Sequence, residues 1–153
     1  MPEVDLPEET FSVRPWKGSD EWFMVHIADT LPKMRKALRE FTDGDCKPTQ
    51  LAAVVGVMPN DDEARELLGG LLGVLFFART RLGAGLVAHE LAHAAFLTCN
   101  HLGVRVEHWI PHGYTLSSQP TMWEASGEEK YCNFLEHLSR DFWRQAYAKR
   151  IVA

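Results

Sequence analysis

The chain has 153 residues, 46% of them hydrophobic and 24% charged, which suits one soluble domain with a buried core and excludes disordered or collagen-like sequence. Sixteen Lys and Arg against 21 Asp and Glu leave a formal net charge of -5, which opposes a broad phosphate-binding surface and makes nucleic acid an unfavoured partner. Cys46, Cys99 and Cys132 are far apart and form no Cys-x-x-Cys pair, so they imply neither a disulfide framework nor a zinc ribbon; small, buried or half-buried side chains in a reducing cytosol are expected.

Residues 1–20 are acidic and contain Pro2, Pro7, Pro15 and Gly18. They read as an irregular N-terminal arm, extended at most near Phe11 to Val13, without the basic-then-apolar order of a secretory signal. A single domain is expected over 21–153. Trp22 to Ile27 is apolar enough for a strand, with a short helix as the alternative, and Pro32 to Phe41 places Met34, Ala37, Leu38 and Phe41 at helical spacing. After the turn residues Gly44 and Pro48, Leu51 to Met58 predicts a buried strand and Asp62 to Leu68 a short helix. Gly69 and Gly70 then precede another strand, Leu71 to Ala78.

Gly83 and Gly85 mark a turn feeding a helix that runs to about Asn100, with apolar residues on nearly every side, so a central buried helix is expected. A long loop follows from His101 to Trp123, and loops of that length within a domain tend to carry function. The last helix is predicted from about Gly127 to Arg150. No apolar stretch is long enough to cross a bilayer. The basic residues are scattered, with groups at Lys33, Arg35, Lys36 and Arg39 and at Arg144, Lys149 and Arg150 that read as solvated helix faces. Strands first and helices later give an α+β fold.

The chemistry concentrates in His89-Glu90-Leu91-Ala92-His93. Residues four apart on a helix lie about 40° apart around its axis, so His89 and His93 can direct two imidazoles at one Zn2+ ion. Glu90, next to the first histidine, is placed to take a proton without itself binding the metal, as a general base. Such groups would cost several kcal/mol if left unpaired in an apolar setting, whereas a metal satisfies them. The competing reading sets all three on the one wet face of the helix.

A catalytic zinc takes a third protein ligand and keeps one position open. The three-histidine extension of the motif is absent, because Phe96 and Cys99 stand at its glycine and histidine positions. The candidates are Glu128 and Glu129. Ser126-Gly127-Glu128-Glu129 also matches a helix capping box, and Glu128 also suits a helix dipole. The apolar face of Tyr131, Leu135, Leu138 and Phe142 lies nearer Glu128, whereas the small Cys132, three residues after Glu129, would let the helices pack closely there. The residues alone leave both open.

Gly83-Ala84-Gly85-Leu86-Val87-Ala88-His89-Glu90-Leu91-Ala92-His93-Ala94 and, more loosely, Glu129 to Leu138 resemble the gluzincin metallopeptidases, especially the small cytosolic members associated with phages and mobile elements. The resemblance covers about Leu71 to Leu138. It implies a minimal zincin-like domain, with a small sheet packed on the motif helix and a C-terminal glutamate-bearing helix. It further implies His89, His93 and Glu129 as zinc ligands and peptide-bond hydrolysis by zinc-activated water with Glu90 as general base. A peptide or protein substrate would lie extended along a strand edge, a role that falls to Leu71 to Ala78. For an oxyanion donor the long loop offers His101, His108, His112 and Tyr114, with Tyr114 or His112 suggested by loop position alone. The alternative to an enzyme is a zinc-binding regulatory or interaction module.

Overall fold

A computed structural model of the chain describes residues 9–44, 46–56, 69–104 and 122–152, with side chains from 127 in the last segment. Among the described residues the architecture is α+β, a mixed four-stranded sheet with three α-helices. The strands are β1 (Glu9–Val13), β2 (Trp22–Ala28), β3 (Ala53–Gly56) and β4 (Leu71–Ala78), and the helices α1 (Leu31–Phe41), α2 (Ala84–Leu102) and α3 (Met122–Ala148). The predicted helix over Asp62 to Leu68 and the loop residues 105–121 lie outside the described residues.

The sheet order is β1-β2-β4-β3. β2 and β4 run parallel at its centre, while β1 and β3 flank them antiparallel. The period-2 alternation of a strand divides the side chains between two cores. Phe23, Val25, Ile27, Leu75 and Phe77 point to the larger one, with Val87, Leu91, Ala94 and Ala95 of α2 and Phe134, Leu138 and Phe142 of α3. Val74, Phe76 and Ala78 point the other way, to Met34 and Leu38 of α1. β4 is therefore covered on both faces, and every one of its residues is buried.

Local chemistry sets the element ends. Thr30, in extended conformation, caps α1 by accepting from the Lys33 N–H at 3.4 Å, with Pro32 in the first turn. At the far end of α2, Gly103 adopts φ 69°, the left-handed conformation that closes a helix, and Val104 N–H donates to the Cys99 carbonyl at 2.8 Å.

Four expectations need correction. Residues 9–13 belong to the sheet rather than to a separate irregular arm, and the extended piece expected near Phe11 to Val13 is present: β1 pairs with β2 from Glu9↔Ile27 to Val13↔Phe23, with Phe11 and Val13 buried. The last helix starts at Met122, so Ser126 lies inside it and is no N-cap. Cys132 is exposed rather than buried at a close helix contact, while Cys99 is buried and Cys46 intermediate. β4 has no open edge to hold a peptide, because β2 and β3 occupy its two sides; among the described residues the edge strands are β1 and β3. No helix among the described residues is long and apolar enough to cross a membrane.

Candidate metal centre

α2 is buried on one side only. Val87, Leu91, Ala94, Ala95, Thr98 and Cys99 face the core, whereas His89, His93 and Phe96 are exposed. The expectation of a helix enclosed all round is thus corrected. The motif does not sit wholly on the wet side either: Glu90 is 7% exposed, between the open histidine face and the strand side. One turn of helix brings the two imidazoles together, with Nε2 of His93 3.2 Å from Nε2 of His89 and the rings 78° apart.

β3 forms the opposite wall. At Gly56 the strand comes close to the helix: a Cβ there would lie 3.4 Å from a Leu97 methyl carbon, an ordinary van der Waals contact. Two adjoining hollows of about 380 and 530 Å³ share Gln50, His89 and Glu90. Val54, Gly56, Phe96 and Leu97 line the first, and Thr49 to Ala52 with Leu86 the second. The approach segment is tied down by Arg35, whose Nε donates to the Gln50 carbonyl at 2.8 Å, and by the Gln50 side-chain amide, which donates to the Ala52 carbonyl at 2.5 Å. Gln50 escaped the sequence reading, since a glutamine 39 positions before His89 carries no spacing signal.

Burial raises the Glu90 pKa above its ordinary value, and the neighbouring His89 and His93 oppose that rise. A carboxyl group so placed is more basic than one in water. That suits a proton acceptor working near neutral pH.

The histidine pair fits a shared metal. Two nitrogens bound tetrahedrally to zinc at about 2.0–2.1 Å stand about 3.3 Å apart, close to the Nε2 separation found here. Among the described residues, no group of three or more His, Cys, Asp or Glu side chains is gathered to hold an ion. Glu128 and Glu129 are both exposed on α3. Measured from the centre of the buried row Phe134, Leu138 and Phe142, Glu128 lies about 80° around the helix and Glu129 about 180°. α3 meets α2 through Tyr131, whose ring centroid is 6.0 Å from that of Phe96, so Glu128 is on the nearer side.

Of the remaining candidates for an oxyanion donor, only His101 falls among the described residues. His101, at the end of α2, pairs with Glu21 at 3.6 Å. His108, His112 and Tyr114 lie outside the described residues, as does the side chain of Trp123. Trp16 packs on Phe134, and the Trp22 indole donates to the Gly69 carbonyl at 2.9 Å.

The chain matches no protein-family model, no curated protein and no solved structure.

Proposed function

We propose that this chain is a zinc-dependent metallopeptidase of minimal zincin-like form, working on peptide or protein substrates in the cytoplasm. One observation carries the reading: a buried, pKa-raised Glu90 stands beside two imidazoles 3.2 Å apart, at a cleft walled by an edge strand. A site that held zinc only for structure would have no use for a proton acceptor.

His89 and His93 hold the ion, with a third ligand from α3. The resemblance assigns that ligand to Glu129, while helix geometry favours Glu128. When bound, zinc supplies a Lewis acid that acidifies water and polarises a carbonyl. Glu90 accepts the proton from the attacking water and passes it to the leaving amine, whose departure breaks the peptide C–N bond. β3, open along one edge among the described residues, offers backbone N–H and C=O groups to an extended substrate, in place of β4. Gln50 stands at the mouth, where its restrained backbone borders the substrate path.

The test separates binding from chemistry. Glu90→Gln is expected to retain stoichiometric zinc by metal analysis yet lose peptide hydrolysis by at least about 10²-fold. His89→Ala is expected to lose the zinc itself. A wild-type protein free of zinc after purification without chelator would sink the reading. Zinc retention without turnover on broad peptide pools would leave a zinc-binding regulatory module. For the third ligand, Glu128→Gln and Glu129→Gln are compared by zinc affinity; the ligand is the one whose loss weakens binding at least about tenfold.

A further inference from the structure

A second concavity lies away from the histidines, between the β1–β2 connection and the C-terminal half of α3. Its volume is about 430 Å³, within the range of small-molecule sites. Arg14 and Lys17 stand on the loop wall, Arg140 and Arg144 on the helix wall, and Asp141 is the one carboxylate in the lining. Four cations around one cavity are unexpected in a chain of net charge -5. The sequence reading treated such residues as scattered solvated charges, because the two walls are more than 120 positions apart. Folding brings them together.

The walls are held in place. The Arg14 backbone N–H donates to Asp141 Oδ2 at 3.2 Å, and the Arg14 guanidinium donates to the Ser19 carbonyl. Asp141 Oδ1 also accepts from Arg144 at 2.6 Å and from Gln145 at 3.1 Å, while Gln145 reaches the Ser12 carbonyl at 2.6 Å. Half-buried Trp16 closes one side, its ring centroid 5.6 Å from that of Phe134. These contacts use few of the donors available, since each guanidinium carries five N–H groups. Arg140 is engaged with exposed Glu136, an i,i+4 surface pair that a stronger anion can replace.

From this arrangement we infer that the pocket binds a compact diphosphate-bearing small molecule. Arg140 and Arg144, one helical turn apart on one wall, and Arg14 and Lys17 on the other supply four cations to one hollow, enough for two adjacent phosphoryl groups. Planar Arg forks pair with phosphate oxygens bidentately, and Lys17 adds a point charge. A nucleic-acid backbone would need a longer basic track than this short surface hollow provides. Trp16 gives a ligand with a flat ring a surface to stack on.

Calorimetric titration of the intact protein at low ionic strength, with pyrophosphate and with ADP as probes, tests the assignment. Both are expected to bind, and Lys17→Glu and Arg140→Glu are each expected to weaken binding about tenfold, the worth of one charge-assisted hydrogen bond. Tighter binding of ADP, with quenching of tryptophan fluorescence, identifies a nucleotide as the source; equal binding identifies the diphosphate group alone. His89→Ala is expected to leave binding unchanged, which separates this pocket from the proposed zinc centre. Failure of both probes to bind overturns the inference, as does binding that survives both charge reversals or disappears in His89→Ala. If a reversal disturbs the fold by circular dichroism, Lys17→Ala and Arg140→Gln serve in its place under the same criteria.

Discussion

Glu90 combines two demands that conflict in the protein without metal. Burial disfavours its charged form more than the neighbouring histidines favour it, so its folded pKa lies above the 4.5 of an ordinary glutamate. A carboxyl group with a raised folded pKa binds its proton more tightly in the folded state. The stability penalty is therefore full above the folded pKa and fades as pH falls toward 4.5. Replacing it with the neutral isostere Gln should stabilise zinc-free protein at neutral pH by about 1 kcal/mol, or roughly 2–4 °C in Tm. Thermal melts of both proteins in chelator are expected to differ at pH 7 and to converge near pH 4. An equal or lower Tm for Glu90→Gln at pH 7 would show that the carboxylate is well compensated without metal. Activity and stability would then pull in opposite directions at this one residue, as they often do at catalytic groups.

Among the elements, β3 is the least secured and bears most directly on the cleft. It has four residues and, among the described residues, pairs with β4 alone, ending at Gly56↔Gly73. At Gly73 an added Cβ would stand 2.7 Å from the Val55 carbonyl oxygen, closer than real contacts permit, and the obstacle is backbone. Gly73→Ala should push β3 off β4, costing about 1–3 kcal/mol and widening the cleft beside Glu90. Urea denaturation measures the first effect. A rise in KM for peptide exceeding the fall in kcat measures the second. The elements with strong local signals were legible beforehand: β2 and α1 lie within a residue or two of their predicted ends, and β4 spans Leu71–Ala78 as expected. β1 was only partly legible: an extended piece was expected near Phe11 to Val13, but the flanking Pro7 and Pro15 and the polar Glu9, Thr10 and Ser12 describe a loop, and the pairing with β2 from Glu9↔Ile27 to Val13↔Phe23 has no local signal. Two glutamates adjacent in sequence face different sides of α3, so which of them could serve as the proposed third ligand depends on packing that a motif does not encode. Gln50 and the basic pocket were hidden for the same reason, being assembled by strand order and helix docking.

At the scale of the molecule, α3 and β1 hold each other to the sheet, and the proposed metal centre depends on that union from a distance. Phe142 is the common contact: its ring centroid lies 5.7 Å from that of Phe11 in β1 and 5.4 Å from that of Phe77 in β4. Phe77 and Phe142 are fully buried, and Phe11 is 8% exposed. The same core contains Val87 and Leu91, which flank His89 and Glu90 on α2, so loosening β1 loosens the seat of the motif helix. Phe11→Ala is expected to destabilise the protein by about 3–5 kcal/mol, a large share of the 5–15 kcal/mol that holds a typical domain together. Chemical denaturation should record that loss as a lower midpoint with an unchanged slope. Zinc should bind the variant more weakly wherever unfolded chain is populated, because metal that binds the folded state draws on the same equilibrium. If Phe11 belonged to a detached arm, the midpoint would stay within about 0.5 kcal/mol of wild type, as for ordinary surface substitutions. That outcome would remove β1 from the core and with it the support it gives to α3.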